Sequence, residues 1–465
     1  LCLVTKDFKY FCNMKRVNYD DTICALATGG GMSAIALIRI SGNKSISTIN
    51  NIFSKNLTNK KSHTAHFGNI IDKTDIIDEV IVTIFHKNRS FTGEETVEIS
   101  CHGSKFIQNK IIELLIHSGV RLANPGEFSM RAFKNGKVDL SQAESIADLI
   151  ESESEAAHKT AIQHLKGGFS KKLKYLREKL IDFASLIELE LDFAEEDVEF
   201  ANRKQLEDLV KEMHKETSIL INSFRLGNVI KNGIPVAILG APNVGKSTLL
   251  NSLLNEDRAI VSEIAGTTRD AIEDQIIING FNYRFIDTAG IRKTDDKIEN
   301  LGIERSLSHA KKSNIIIYLI DATKDIKRQL KNIRKINIDD QQKVIKVINK
   351  IDLKEEVSSE INDAIYISAI NQTGIDILKN RLCKFTNINN LDTNNTVVTN
   401  QRHYEQLLKT IAELELVIKG LKDGLSSDLL AINIKESLYH LGLITGEVSS
   451  DDLLGNIFGK FCIGK

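Results

Sequence analysis

The sequence predicts a multidomain α+β and α/β protein: an amino-terminal α/β domain, an all-helical domain, and a second α/β domain inserted into the helical one around a phosphate-binding loop. Three observations predict it. Short apolar runs closed by turn residues fill the chain up to about Leu122. From Asp139 apolar residues recur at helical spacing with no strand alternation. Around Gly233 the texture switches to strand, loop and helix alternation, and after Leu382 an Asn/Thr-rich connector at 387–400 returns it to helical periodicity. The 465 residues, at roughly 150 per domain, fit three domains. The expected division is a disordered extension at 1–20, an amino-terminal domain at 21–135, a first helical segment at 136–230, the inserted domain at 231–384 and a second helical segment at 385–465. Residues 1–13, which open on Leu1 and precede Met14, read as an extension upstream of the true start.

Taken in order, residues 35–40 closed by Ser41 and Gly42, residues 80–85, and residues 96–101 closed by His102 and Gly103 read as strands. Phe106, Ile107, Ile111, Leu114 and Leu115 then mark a helix that ends before Ser118 and Gly119. Ser141 followed by Glu144 has the pattern of a capping box, and Ile146, Leu149, Ile150, Ile162 and Leu165 carry the helical period onward. Gly167 and Gly168 interrupt it before Leu173, Leu176, Leu180, Phe183, Leu186 and Leu189 resume at three- and four-residue steps. Residues 401–443 are again amphipathic and helical. Texture alone leaves open whether the two helical segments pack on each other.

Composition excludes some classes. Lys and Arg total 61 against 62 for Asp and Glu, a formal charge of -1 that argues against an obligate polyanion binder while leaving local basic patches open. The densest apolar run, 315–320, is strand-sized, far short of the roughly 18–20 residues that cross a bilayer, so no membrane role is expected. Lys6, Asp7, Lys9 and Tyr10 break the apolar start and argue against a secretory signal, which makes the cytoplasm the default location. Cys2, Cys12, Cys24, Cys101, Cys383 and Cys462 form neither a disulfide framework nor a paired zinc spacing and are expected as reduced thiols. The acidic run Glu195, Glu196, Asp197 and Glu199 reads as a solvated connection, and Cys101 with His102 as strand-end packing.

The motifs that carry chemistry lie in the inserted domain. After the apolar strand at 236–239 comes Gly240, Ala241, Pro242, Asn243, Val244, Gly245, Lys246, Ser247, which opens a helix through Leu249, Leu250, Leu253 and Leu254. This is the GxxxxGK[ST] phosphate loop in its strand-to-helix setting: glycines let successive amides point at phosphate oxygens and the helix terminus adds its positive end. Lys246 is the group for the terminal phosphates and Ser247 the hydroxyl for magnesium. Asn349, Lys350, Ile351 and Asp352 follow the run 344–348. A carboxylate at Asp352 can accept from both the ring N–H and the exocyclic amine of guanine, a donor pair that adenine lacks. Ser368 and Ala369, at the end of 364–367, fit a backbone contact to the guanine carbonyl. Asp287, Thr288, Ala289 and Gly290 close the strand 283–286, with Asp287 in reach of a magnesium shell and Gly290 placed to sense the terminal phosphate. Between these lie Gly266, Thr267, Thr268, Arg269 and Asp270, where Thr268 is the candidate second magnesium ligand. Ile291 stands where many GTPases place a water-orienting glutamine, so hydrolysis must be arranged by another residue.

The ordered set GAPNVGKST, GTTRD, DTAG and NKID resembles the Era-like branch of translation-factor-type GTPases, which implies a Ras-like fold for the inserted P-loop domain. Two further features are similar to the MnmE (TrmE) family of tRNA uridine-5-carboxymethylaminomethyl-modification GTPases: the terminus Phe461, Cys462, Ile463, Gly464, Lys465, and the stretches Phe91–Glu94, Pro125–Phe128 and Leu140–Glu144. The resemblance implies a folate-binding, dimerising amino-terminal domain and a G domain whose nucleotide contacts run over Asn243, Val244, Gly245, Lys246, Ser247 and Thr248, over Ser262, Glu263, Ile264, Ala265, Gly266, Thr267 and Thr268, and over the motifs above. It implies potassium held by Asn243, Ser262, Ile264 and Thr267, a water-orienting Glu299, and Lys246 and Glu299 as the catalytic pair. Arg39, Glu98, Lys137 and Lys465 are implied for formyl- or methylene-tetrahydrofolate, although the family's ATPPGRGG loop stands here as Ala27, Thr28, Gly29, Gly30, Gly31, Met32, Ser33, Ala34. Cys462 reads either as a redox thiol near the folate or as a small residue in a packed tail. The implied partners are a second copy of the chain, the flavoprotein MnmG, which brings FAD and completes a heterotetramer, and tRNA. The near-zero charge is expected to leave much of the phosphate contact to MnmG. Two rival readings remain at this point: a regulatory GTPase switch in ribonucleoprotein assembly that does no nucleoside chemistry, and a folate-dependent one-carbon transferase gated by GTP.

Overall fold

The computed structural model describes residues 21–192, 203–256, 274–286, 310–333, 338–339, 342–354, 361, 363–385, 396–462 and 464. They fall into two compact units, one drawn from Leu1–Ala147 and Gly442–Lys465, the other from Asp148–Leu441. The tail from Gly442 onward, expected to continue the helical segment, therefore clusters with the amino-terminal unit.

In that unit β1 (Ile23–Leu26), β2 (Ile35–Ser41), β3 (Thr64–Asp72), β4 (Asp75–Phe85), β5 (Thr96–His102) and β6 (Arg121–Leu122) form one sheet in the order β3-β4-β5-β2-β1-β6, with α1 (Ser45–Asn50) between β2 and β3 in the chain. The β1–β6 pair is parallel and the other pairs are antiparallel. Period-2 alternation divides β5 between faces: Val97, Ile99 and Cys101 are buried in a core with Ile38, Ile40, Val82, Ile84, Ile111 and Leu115. Ile111 and Leu115 belong to α2 (Lys105–His117), the helix the spacing predicts. Arg39 and Glu98 are direct cross-strand partners at the half-exposed positions between these core residues.

The short helix α3 (Glu127–Lys134) anchors the rest. Its Arg131, 1% exposed, donates to the Asp21 carboxylate at 2.6 Å, to Glu127 at 3.0 Å and to Glu94 at 3.2 Å. Arg121 donates to Asp21 and Glu127, each at 2.7 Å. Burial works against the Glu127 carboxylate, but Arg121, the Asn124 amide and Arg131 outweigh it and hold that carboxyl below the ordinary glutamate range. Gly126, just before α3, sits at φ 67, and a Cβ there would lie 2.3 Å from the Phe458 carbonyl. Its amide donates to the Cys462 carbonyl at 3.3 Å. The carboxyl-terminal tail can pack this closely only against glycine.

The helix beginning at Leu140, α4 (Leu140–Glu151), is capped otherwise than the Ser141–Glu144 spacing predicts. Asp139 accepts from the Gln142 amide while the Gln142 side chain accepts from the Asp139 amide, both at 2.9 Å. That is a reciprocal box two residues earlier; aspartate supplies the stronger acceptor, and Ser141 donates to it at 2.7 Å.

In the second unit, α5 (Glu155–Leu165), α6 (Gly168–Asp192) and α7 (Arg203–Asn232) precede the inserted region, and α11 (Gln401–Lys422) and the start of α12 (Ser427–Thr445) follow it. The two helical segments do pack on each other. Phe224 of α7 stacks on Tyr404 of α11 with centroids 4.2 Å apart, Ser223 accepts from the Val398 amide at 3.0 Å, and His164 of α5 bonds the Val397 carbonyl at 2.7 Å. The chain leaves and re-enters one helical packing.

Between them β7 (Ile234–Gly240), α8 (Lys246–Glu256), β8 (Asp274–Ile278), β9 (Phe281–Phe285), β10 (Ile315–Asp321), α9 (Ile326–Ile333), β11 (Lys343–Asn349), β12 (Ala364–Tyr366) and α10 (Ile375–Phe385) are described. The sheet order is β12-β11-β10-β7-β9-β8, parallel except for the antiparallel edge strand β8. Every residue of β10 is buried, as a central strand covered on both faces requires. This topology brings the loops after β7 and β11 together at the carboxyl ends of the strands, where open parallel sheets bind ligands.

Replacing Glu127 by Gln is expected to leave Arg131 undercompensated and to lower the local stability of β1 and α3 by about 3 kcal/mol or more, read as faster native-state amide exchange there. Because the Glu127 pKa is depressed on folding, its contribution is present at neutral pH and lost as pH falls through the acid range. The wild-type chain should lose that protection on acidification, and Glu127→Gln should flatten the slope.

Candidate nucleotide-binding site

The phosphate loop is shaped by three left-handed residues. Gly240 lies at φ 154, Asn243 at φ 60 and Gly245 at φ 99. A Cβ on Gly240 would meet the Leu319 carbonyl at 2.6 Å, and one on Gly245 would meet the Asn349 side chain at 2.4 Å, so both glycines are demanded by packing as well as by backbone. Val244 plugs into the sheet core, and the Leu249 amide bonds the Gly245 carbonyl at 2.9 Å to start α8. Lys246 and Ser247 therefore stand in the first turn of a helix, with Thr248 next, where amide dipoles favour an anion. The Lys246 ammonium donates to the Gly240 and Ala241 carbonyls, each at 3.0 Å, and burial lowers its pKa.

The base strap is held by the same loop. Asn349, the last residue of β11 and 2% exposed, donates to the Val244 carbonyl at 2.9 Å and accepts from the Ala369 amide at 3.0 Å. Lys350, at φ 67, donates to the Asn243 carbonyl and to Asp321, both at 2.8 Å. Asp352 accepts from the Ser368 hydroxyl at 2.6 Å, which fixes the carboxylate that would read the base. The Ala369 amide donates to Asn349, which ties the turn after β12 to the strap.

These residues fit a guanosine phosphate. A glycine-lined turn at a helix start, a half-buried lysine and a hydroxyl at Ser247 suit phosphate with magnesium, and a fixed carboxylate suits the guanine edge. The candidate residues Ser262, Glu263, Ile264, Ala265, Gly266, Thr267, Thr268, Asp287, Thr288, Ala289, Gly290 and Glu299 lie outside the described residues. The acidic run at 195–199 does too.

In the amino-terminal unit Arg39 donates to Glu98 at 2.8–2.9 Å and to the Gly464 carbonyl at 3.4 Å, beneath which Phe91 and Phe128 present their rings at 5.5 and 5.7 Å. Lys137 donates to the Asn88 carbonyl at 3.2 Å, at the base of the loop that carries Phe91. Arg39, paired with Glu98, thus bridges Phe91 and the returning tail, Lys137 lies at the base of the loop that carries Phe91, and Lys465 lies outside the described residues. A guanidinium on aromatic rings beside a carboxylate suits a ring with N–H donors and a glutamyl tail. The Cys462 thiol is exposed, Cys101 is buried with its thiol directed at the Ala36 carbonyl, and His102 pairs with Asp78 at 2.7 Å. Sequence reasoning misses Asp321; its one signal is a carboxylate ending the central strand beside the phosphate-loop strand.

A phosphate cradle and a guanine strap that share a single carboxamide define a phosphate-loop GTPase. Comparison narrows the class. Residues 22–137 match the family model described as "GTP-binding protein TrmE N-terminus", and residues 140–462 match "MnmE helical domain". The tRNA modification GTPase MnmE of Flavobacterium psychrophilum is 52% identical over 462 residues, covering 96% of this chain and 100% of that protein. Its namesake from Flavobacterium johnsoniae is 52% identical over 464 residues (96% and 99%), and that from Bacteroides fragilis strain ATCC 25285 is 47% identical over 463 (96% and 99%). The chain belongs to the MnmE family of tRNA modification GTPases.

Asp352→Asn should weaken GDP binding by about ten- to a hundredfold. It should also improve binding of XDP, whose C2 carbonyl accepts where guanine donates. Nucleotide titration followed by calorimetry reads both changes.

Proposed function

We propose that the chain is a potassium-dependent GTPase that acts with the flavoprotein MnmG to install a carboxymethylaminomethyl (aminomethyl-type) group on C5 of the tRNA wobble uridine. The observation that carries this reading is the joined guanine–phosphate site in a chain 52% identical, nearly end to end, to tRNA modification GTPases. Lys246 moves its ammonium from the loop carbonyls to the terminal phosphates, and the amides of the loop and of the start of α8 hold the oxygens. Ser247 and Thr268 would hold magnesium, and Asn243, Ser262, Ile264 and Thr267 would hold potassium; bound there, both ions would supply positive charge beside the transferring phosphoryl group. Asp287, Thr288, Ala289 and Gly290 follow the state of the terminal phosphate. Glu299 orients the attacking water, the task Ile291 cannot perform.

Arg39, Glu98, Lys137 and Lys465 would hold a formyl- or methylene-tetrahydrofolate, the cations suiting its glutamyl carboxylates and the Glu98 carboxylate its pterin N–H groups. The domain limits proposed are 21–135, 136–230, 231–384 and 385–465, the last with its end returned to the amino-terminal unit. The working assembly is a homodimer joined to MnmG, in the cytoplasm. No helix among the described residues is long and apolar enough to cross a membrane.

Turnover of GTP should be stimulated by potassium over sodium, and Glu299→Ala should lower it by about a hundredfold or more while leaving GTP binding intact. Nucleoside mass spectrometry of tRNA from a strain lacking the gene should show the modified wobble uridine gone. Its persistence would favour a regulatory switch acting in ribonucleoprotein assembly.

A further inference from the structure

Asp321 ends the central strand β10, is 1% exposed, and lies in register with Asn349 of β11. It is held from every side. The Thr323 amide and hydroxyl donate to Oδ1 at 3.0 and 2.6 Å, while Gln329 accepts from its amide at 3.0 Å and donates to its carbonyl at 2.9 Å. The remaining carboxylate oxygen, Oδ2, accepts from Lys350 Nζ at 2.8 Å, and the same ammonium donates to the Asn243 carbonyl at 2.8 Å. Burial works against the charge of Asp321, but Lys350 and Thr323 outweigh it and keep the carboxyl below the ordinary aspartate range.

A lysine on a four-carbon stem loses rotamer freedom when it is made to hold one geometry. Here a rigid, buried carboxylate holds it in advance, and the held ammonium in turn fixes the carbonyl of Asn243, the residue whose left-handed backbone turns the phosphate loop. We propose that Asp321 is a positioning residue for the guanine nucleotide: through Lys350 it sets the phosphate loop in its binding shape before the nucleotide arrives. The inference rests on the GTPase reading and deepens it. Preorganisation of this kind strengthens substrate and product alike, so it acts on affinity and not on the chemical step.

The test uses the full chain and compares wild type with Asp321→Asn, Lys350→Met and the double variant. GDP affinity is measured by calorimetry, and kcat and KM by GTP turnover. Asp321→Asn is expected to weaken GDP and GTP together by about ten- to a hundredfold, with kcat at saturating GTP nearly unchanged and a cooperative melt retained. Loss of fold alone would lower the active fraction without moving the affinity of the sites that remain. The double variant should be little worse than Lys350→Met alone, because both changes break one chain of contacts. Wild-type GDP affinity in folded Asp321→Asn, or additive losses in the double variant, would overturn the proposal. Should Asp321→Asn not fold, Thr323→Val removes only the 2.6 Å hydrogen bond that steadies the carboxylate. A few-fold loss of affinity in it supports the proposal, and none overturns it. A wild-type chain that binds no GDP would instead defeat the guanine-site reading itself.

Discussion

The nucleotide site depends on one carboxamide. Asn349 leaves the end of β11, donates to the Val244 carbonyl of the phosphate loop and accepts from the Ala369 amide of the turn that follows β12. A buried amide side chain of this kind is worth most when every polar atom it faces is satisfied, since each orphan costs on the order of 1–3 kcal/mol. Phosphate recognition and base recognition come from segments about a hundred residues apart, |i−j| being 105 for the Asn349–Val244 bond. Neither is held in place by its own sequence alone. The absence of a Cβ at Gly245 lets Asn349 come close enough, and the left-handed turns at Asn243 and Lys350 aim the flanking groups.

The amino-terminal unit has a comparable constraint in Arg131. A guanidinium 1% exposed must be neutralised, and Asp21, Glu94 and Glu127 do so from three separate stretches of chain. Two of those carboxylates belong to the stretches Phe91–Glu94 and Pro125–Phe128, on which the family resemblance leans. In the same stretches Phe91 and Phe128 lie under Arg39, and Gly126 receives the returning tail. Those short strings are thus the points at which strands, α3 and the carboxyl terminus are tied, which gives a physical reason for their composition. The tie also carries the tail to the sheet: Gly464, at φ 95, sits where a Cβ would meet the Leu26 carbonyl at 2.3 Å.

What could be read from the sequence is what is local. The phosphate loop, the NKID strap and the central strands are contiguous strings whose spacing states their geometry, and each is found where its pattern places it. The edge strands β3 and β8 escape notice because one face of each is polar or half exposed, so their alternation is weak. The cap of α4 is misplaced by two residues because Ser141–Glu144 and Asp139–Gln142 overlap, and only the structure shows which oxygen reaches which amide. Nothing in the local sequence marks Arg131 as buried; its burial follows from residues up to 110 positions away. Asp321 and the docking of 442–465 are equally non-local.

The central claim is that Asn349 makes phosphate loop and base strap a single guanine-nucleotide site on which the family's tRNA-modifying activity rests. Calorimetric titration of GDP into Asn349→Ala tests it most directly. The account predicts a loss of affinity of about tenfold or more in a chain that remains folded. Wild-type affinity in that variant would contradict it.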